Sequence, residues 1–291
     1  MNAWQGVVVA LPTPFRADLS VDLDRLRAHV RWLAEAGCDA VSPCGPLGEY
    51  QTLSDAERAD VVRATVEAAP AGCAVVAGVG GYGSRQAAFW AEQAALAGAR
   101  AVLAPPPHPY RARDAEVVAH FRAVAAVGLP VVVHNDPSTL VELRPELLAR
   151  IAETDGIAAV TTTGADMHRV RDLCPHLDLL AGADDVLLET VVCGAAGWLA
   201  ALPNAFPLLA VELYARCASR DVSAALPLYT DLHPLLRCSS SVPALKFSME
   251  LAERYGGPSR PPRAALTARD GEAVTAAVAR AIDSPACVER G

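Results

Sequence analysis

Pro130-Val131-Val132-Val133-His134 is a short, continuous apolar run that ends in a polar side chain. An apolar run without alternation is typical of a parallel strand that is buried on both faces. Amphipathic segments of helical length separate such runs along the chain, which is the pattern of βα units around a parallel sheet. The strand candidates are Gly6–Ala10, Asp39–Ser42, Cys73–Gly78, Ala101–Ala104, Pro130–His134, Ile157–Thr161, Asp178–Ala181 and Gly197–Ala200. The sequence therefore predicts an α/β protein, a (β/α)8 TIM barrel.

Helix signals support this prediction. The first helix is expected over Leu23–Ala36, Ser54 with Glu57 opens a second toward Ala69, and Ser84 opens a third toward Ala97. Beyond Pro207 three further helical patterns form a C-terminal helical appendage, and they cover Val222–Leu236, Val242–Tyr255 and Asp270–Ile282. We expect residues 1–206 to form the barrel and residues 207–291 to supply its last helix and the appendage packed on it.

Composition limits the classes of partner. The chain has 291 residues, is 52% apolar and 20% charged, and has a net charge of −8, which excludes disorder. Without a basic cluster we expect no nucleic acid or membrane partner and a small-molecule substrate.

The start of the chain, Met1–Gln5, lacks signal-peptide features, so a cytoplasmic location is expected. The eight cysteines occur singly, which indicates neither a metal site nor disulfides, and no cofactor is expected.

In a β/α barrel the chemistry lies at the carboxyl ends of the strands. The segments at the predicted strand ends are Leu11–Phe15, Pro43–Glu49, His134–Pro137, Thr161–Gly164, Gly182–Asp185 and Pro203–Pro207. Together they resemble the N-acetylneuraminate lyase and dihydrodipicolinate synthase family of barrel aldolases. The similarity rests on Pro12-Thr13-Pro14-Phe15, Gly45-x-x-Gly48-Glu49, Asn135-x-Pro137, Gly182-x-Asp184-Asp185 and Asn204-x-x-Pro207.

The resemblance extends over essentially the whole chain. Within the family, Cys44-Gly45-x-Leu47-Gly48-Glu49-Tyr50 and Gly197-Trp198-Leu199-Ala200 are most similar to the branch related to 1-pyrroline-4-hydroxy-2-carboxylate deaminases. The resemblance implies a homotetramer or a homodimer. It also implies a substrate that bears a carboxylate and a keto group or an equivalent carbonyl.

The sequence departs from the family at its catalytic positions. The resemblance places an imine-forming lysine at the end of strand 6, where this chain has Thr161. A hydroxyl cannot form the imine that acts as the electron sink. His134 replaces the family's proton-transferring tyrosine, and Pro46 with Leu47 replace its hydroxyl pair. In the synthase branch an arginine binds a second carboxylate of the substrate, and this chain has Thr139 at that position.

Lys246 is the one lysine among 25 basic residues. The other 24 basic residues are arginines, so a compositional bias toward arginine explains why lysine is rare in this chain. Such a bias would replace a lysine by arginine, and it does not explain the uncharged Thr161 at the end of strand 6. Lys246 follows all eight predicted strands and falls in the appendage, at a position where the family has an additional lysine. We therefore interpret it as structural.

These considerations give a set of candidate site residues. His134 is the candidate general acid and base, because imidazole exchanges protons near neutral pH. The candidates for substrate binding are Thr161, Pro46, Asn135, Tyr110 and the backbone of Leu47 and Gly48, and His108 is an alternative to Tyr110.

Other residues with reactive or charged side chains near the strand ends, and one glycine-rich stretch, are interpreted as structural. Cys44 is expected to be an ordinary buried thiol, and Glu49 is expected to support its loop. Asp184 and Asp185 enter a helix, where aspartate caps backbone N–H groups. The glycine-rich stretch Gly78–Gly83 could suggest a phosphate site, but the family has a similar turn without a nucleotide.

Three hypotheses follow for the function. The first is a lyase-superfamily enzyme that acts without a lysine imine on a small carbonyl or imine substrate. The second is a catalytically inactive homologue that binds a ligand or regulates a partner. The third is an ordinary Schiff-base aldolase that uses Lys246.

Overall fold

The eight strands form a closed barrel, which confirms the predicted fold. In the computed structural model, which describes residues 2–107, 110–135, 141, 143–162, 167–238 and 241–284, each strand pairs in parallel with its neighbours in chain order, and β1 pairs with β8. The strands are β1 Gly6–Ala10, β2 Ala40–Ser42, β3 Ala74–Gly78, β4 Ala101–Ala104, β5 Val131–Val133, β6 Ile157–Thr162, β7 Asp178–Ala181 and β8 Gly197–Ala200.

A helix follows each strand around the outside of the barrel. These helices are α1 Leu23–Glu35, α2 Asp55–Ala68, α3 Ser84–Ala97, α4 Asp114–Ala125, α5 Pro145–Ala152, α6 Met167–Leu173, α7 Leu187–Val192 and α8 Pro207–Ala218. The predicted capping box of α2 is present, because Ser54 accepts from the Glu57 N–H and Glu57 accepts from the Ser54 N–H. Ser84 instead is the first residue of α3, and its hydroxyl contacts His120 rather than capping the helix.

The C-terminal appendage consists of three helices, α9 Val222–Cys238, α10 Val242–Leu251 and α11 Ala268–Ile282. The sequence pattern predicted that α10 would continue to Tyr255, but the helix ends four residues earlier. Glu253 and Gly257 then adopt left-handed conformations. Gly256 lies so close to the backbone of Lys246 that a Cβ atom there would be 2.0 Å from the Lys246 carbonyl oxygen. No helix in the described part of the chain has both the length and the apolar character needed to cross a membrane.

Side chains from alternate strand positions fill the barrel. Val8, Val76, Val132 and Leu180 belong to an interior cluster that also contains Leu103 and Leu199, while a larger cluster joins the outer faces of the strands to the helices. The pairing register of β5 and β6 shifts between Val131 and Val132. This offset lies at the amino-terminal ends of the two strands that lead to His134 and Thr161, and it sets their pairing up to the carboxyl ends.

Candidate active site

A cavity of about 260 Å³ lies at the carboxyl ends of the strands, and we call it the mouth cavity. Residues at or just beyond the ends of β1, β2, β5, β7 and β8 contribute to its wall. Leu103 and Leu199 from the barrel interior also reach the wall, so the packed core closes the cavity from below. This is the end of a β/α barrel at which ligand-binding residues are found.

His134 lies in the wall of the mouth cavity and is buried. Its Nδ1 is 3.2 Å from the hydroxyl of Thr161 on the neighbouring strand. The Thr161 hydroxyl also accepts a hydrogen bond of 3.0 Å from the backbone N–H of Asn135. Because Thr161 is fully buried and is not part of the cavity wall, it holds the imidazole from behind. The structure thus brings His134, Thr161 and Asn135 together.

The loop after β2 contributes Gly45, Pro46 and Leu47 to the cavity wall. The backbone N–H of Gly48 donates to Gly45 at 2.9 Å, and its carbonyl accepts from the Thr13 hydroxyl at 2.6 Å. The Gly48 N–H, one of the two backbone groups expected to position a ligand, is therefore engaged within the loop, and the predicted role of the Leu47 backbone stays a prediction. Pro46 and Leu47 remain the wall residues of this segment, and they make it apolar.

Three polar wall residues were not among the sequence candidates for substrate binding. Ser42 ends β2, and its buried hydroxyl has no hydrogen-bond partner among the described residues. Arg237 reaches the cavity from the last turn of α9, and Asp185 from the turn after β7. The position of Ser42 at a strand end would have indicated it. Arg237 lies on an appendage helix, far along the sequence from the strand ends that form the rest of the wall. No sequence motif near it therefore indicated a binding role.

Asp184 also borders the cavity, but its carboxylate is committed to the scaffold. It accepts from the Trp198 indole N–H at 3.0 Å, the Ala201 N–H at 3.1 Å and the Leu202 N–H at 2.9 Å. Burial raises the pKa of Asp184 to about 6, and these donors act in the opposite direction by favouring the carboxylate. Asp184 therefore caps the turn after β8, whereas the sequence suggested a cap for the following helix.

Lys246 lies outside the mouth cavity, in a buried ion pair with Glu49. Its ammonium donates to Glu49 Oε1 at 2.7 Å and to the Pro258 carbonyl at 2.8 Å, and it lies 4.6 Å from the centre of the Phe15 ring. Glu49 is fully buried, and its Oε2 accepts from the Arg260 N–H at 3.0 Å. Burial lowers the pKa of Lys246, while Glu49 opposes this shift. The pair ties the β2 loop to the appendage.

Cys44 has the environment of a structural thiol. It is buried, is not part of the cavity wall, and burial raises its pKa to about 11. The thiolate is the reactive form of cysteine, so a raised pKa disfavours a nucleophilic role. All seven cysteines of the described part of the chain are free thiols.

Packing accounts for the glycine-rich stretch. The Arg58 guanidinium donates to the carbonyls of Gly78 and Gly80 at 2.8 Å each, and a Cβ atom on Gly80 would be 2.6 Å from the Tyr50 hydroxyl. A Cβ atom on Gly78 would be 2.2 Å from the Cys44 carbonyl oxygen. Close approach of the Cys44 backbone at Gly78 and of the Tyr50 side chain at Gly80 thus explains the two glycines without a phosphate.

We expect Gly78→Ala to lower the free energy of unfolding by about 1–3 kcal/mol, because the new methyl group clashes with backbone that cannot rotate away. Gly83→Ala is the matched control, since a Cβ atom there meets nothing within 4 Å. Urea unfolding of both variants measures the difference. Equal stability of the two variants would contradict this packing argument.

Tyr110 is half exposed and is not part of the mouth cavity wall. His108, Thr139 and Thr163 lie outside the described residues. The predicted contribution of the segment around Tyr110 to a ligand site therefore stays a prediction.

A β/α barrel with a cavity at the carboxyl ends of its eight strands is thus the class of protein that the fold and this cavity define. The chain belongs to the dihydrodipicolinate synthetase family, whose model matches residues 3–281.

Similar proteins include lyases and synthases. A 4-hydroxy-tetrahydrodipicolinate synthase of Anaeromyxobacter sp. (strain K) is 32% identical over 277 residues, 92% of this chain and 94% of that protein. An uncharacterized DapA-like lyase of Halobacterium salinarum is 35% identical over 282 residues, 94% of this chain and 93% of that protein. The solved 4-hydroxy-tetrahydrodipicolinate synthase of Methylacidiphilum fumariolicum SolV superposes with a TM-score of 0.92 at 26% identity, covering 98% of each chain.

Proposed function

We propose that the protein is an enzyme of the lyase superfamily that works by acid–base catalysis without a lysine Schiff base. Its proposed substrate is a small molecule with a carbonyl or imine group and a carboxylate. One observation carries the proposal. Thr161 lies at the end of β6, where the family resemblance places the imine-forming lysine, and its hydroxyl contacts His134. The chain's one lysine is held in the ion pair with Glu49.

His134 supplies the proposed proton transfer. Its imidazole borders the mouth cavity, and the contact of Nδ1 with Thr161 fixes the orientation of the ring. A positioned imidazole can take a proton from, or give a proton to, a bound ligand near neutral pH. Because no amine is available to build an electron sink, the substrate must bring its own activation, as a preformed cyclic imine or a reactive carbonyl does. Such a substrate allows C–C bond formation or cleavage, elimination or cyclisation.

The cavity wall supports this substrate class. Arg237 offers a guanidinium at the rim, which suits a carboxylate, and Ser42 offers a buried hydroxyl without a described partner. Leu47 and Leu103 give the wall an apolar character between these groups. We assign Arg237 to the substrate carboxylate, Ser42 and the Asn135 side chain to its polar substituents, and the wall at Pro46 and Leu47 to its carbon skeleton.

The same proposal includes a setting for the enzyme. The motifs around Cys44–Tyr50 and Gly197–Ala200 favour the deaminase-related branch of the family. A family member that has exchanged its catalytic lysine, tyrosine and hydroxyl pair together suits specialised metabolism, and we place it in the cytoplasm. These assignments rest on analogy with the family.

Borohydride trapping distinguishes the proposal from an ordinary aldolase. With pyruvate and sodium borohydride we expect no mass increase of the intact protein, because the Lys246 ammonium is buried against Glu49. A covalent adduct located at Lys246 would show that the protein uses Schiff-base chemistry. A family synthase with a strand 6 lysine serves as the positive control for trapping.

A substrate screen distinguishes the enzyme from an inactive homologue. Keto acids and cyclic imines that raise the melting temperature are incubated with the protein, and the mixtures are examined by mass spectrometry. We expect at least one stabilising compound to be consumed. Ligands that bind but are all recovered unchanged would favour the inactive ligand-binding alternative.

We also propose that the protein is a homotetramer or a homodimer. Large apolar side chains are exposed on the isolated chain, among them Leu96 at 81% and Tyr82 at 69%. Apolar area of this kind is stabilised when it is covered by another subunit. Light scattering during size-exclusion chromatography should give a mass above that of one 30.4 kDa chain, and a monomer would contradict the assignment.

A further inference from the structure

A second cavity of about 230 Å³ lies between α1 and the end of α10, and we call it the α1–α10 cavity. Its wall includes His29 and Arg25 from α1, and Glu253 and Arg254 from the turn after α10. It shares no wall residue with the mouth cavity. We propose that the α1–α10 cavity is a binding site for a small carboxylate that carries a hydrogen-bond donor next to its acid group, as a hydroxy acid does.

His29 supplies a hydrogen-bond acceptor. Its Nε2 is 2.9 Å from Asn204 Oδ1, and the Asn204 amide nitrogen donates to the carbonyls of Ala10 and Ala201 at 2.9 Å each. Because those two bonds fix the orientation of the amide, Oδ1 must accept, and the proton of the neutral imidazole is on Nε2. Burial lowers the pKa of His29 to about 4, which keeps the ring neutral.

The other ring nitrogen of His29 is left as an acceptor. His29 is only 9% exposed, and its Nδ1 has no hydrogen-bond partner among the described residues. This Nδ1 is not among the fully enclosed polar atoms, so a ligand in the cavity can replace water as its partner. Since Nδ1 carries no proton, it requires a donor from the ligand, such as a hydroxyl group. A simple carboxylate without a donor cannot supply this bond.

The two arginines supply the positive charge. The Arg25 guanidinium lies 3.8 Å from the centre of the Tyr255 ring, and the Arg254 guanidinium lies 4.0 Å from the centre of the Trp32 ring. Stacking holds a guanidinium by its face and leaves its N–H edge available to a carboxylate.

The wall of the α1–α10 cavity carries two arginines and one glutamate, which gives it a net charge of +1 with His29 neutral. Arg25 also contacts Asp22, with its Nε 3.3 Å from the carboxylate, whereas Arg254 has no acidic partner among the described residues. Glu253 is the acidic residue of the wall and is exposed to solvent. Arg254 is therefore the cation most available to an anionic ligand.

Calorimetric titration with sodium glycolate tests the proposal, because glycolate combines a carboxylate with an adjacent hydroxyl. At constant ionic strength we expect saturable binding to the full-length protein. Arg254→Gln should weaken binding at least about 10-fold, since it removes a charge-assisted hydrogen bond. Acetate should bind about 2–10-fold more weakly than glycolate, because it cannot donate to His29.

Arg63→Gln is the matched control, since it removes an exposed arginine that lines neither cavity, and it should change glycolate affinity by less than about twofold. Arg237→Gln removes the cation of the mouth cavity and tests whether glycolate binds there instead. Arg25→Gln provides a second variant of the site, and melting temperatures confirm that each variant is folded.

Three outcomes would overturn the proposal. The first is the absence of saturable binding to the wild-type protein at glycolate concentrations about tenfold above a millimolar Kd. The second is wild-type affinity in a folded Arg254→Gln protein. The third is an equal loss of affinity in Arg237→Gln, which would assign glycolate to the mouth cavity.

Discussion

Lys246→Met is expected to lower the free energy of unfolding by about 3–5 kcal/mol, the usual cost of removing one member of a buried ion pair. The substitution leaves the Glu49 carboxylate fully buried without its 2.7 Å ammonium partner, and it leaves the Pro258 carbonyl without a donor. The Arg260 N–H still donates to Glu49 Oε2, and the Arg263 guanidinium stays 3.6 Å from the same oxygen, so the carboxylate keeps part of its compensation. The loss should nevertheless be among the largest from a single substitution, because the pair joins the β2 loop to the appendage.

Urea unfolding measures this loss of stability, and two further variants show whether it comes from the buried charge. Arg63→Met removes an exposed ion pair with Asp60 and should cost less than about 1 kcal/mol. Glu49→Gln combined with Lys246→Met should be more stable than Lys246→Met alone, because it removes a buried charge that has lost its closest partner. A Lys246→Met protein as stable as Arg63→Met would contradict a structural role for Lys246.

The fold was predictable because its signals are local. Each strand is a short apolar run, and the boundaries of β1, β4, β7 and β8 agree with the predicted ones at both ends. The end of α10 was not predictable, since the helical pattern continues to Tyr255. Its early end depends on the close contact between Gly256 and the Lys246 backbone, which involves residues ten positions apart in sequence.

The candidate site was predictable only in part. The rule that chemistry lies at strand ends led to His134, Pro46, Leu47 and Asn135, all of which border the mouth cavity. It could not show that Thr161 lies behind His134, because the direction of a side chain at a strand end depends on the register of the neighbouring strand. The β5–β6 offset at Val131 sets that register.

His134→Ala is expected to reduce turnover by about 10²–10⁴-fold on a substrate found in the consumption screen, because it removes the proposed proton-transferring group. Binding should persist, since Arg237 and Ser42 remain in the cavity wall. Steady-state kinetics should therefore show a loss mainly in kcat, with KM little changed. His168→Ala removes an exposed histidine on α6 and should leave kcat and KM unchanged.

Thr161 distinguishes a catalytic His134 from a histidine that merely fills space. Thr161→Val keeps the shape of the side chain but removes the hydroxyl that contacts Nδ1 at 3.2 Å, and a lost neutral hydrogen bond corresponds to about a 2–10-fold effect. Thr161→Ser restores the hydroxyl and should recover most of the turnover. If His134 only packs, its variants should change melting temperature without changing kcat. Undiminished turnover in a folded His134→Ala protein would therefore reject the assigned role, even if the protein proved to be an enzyme.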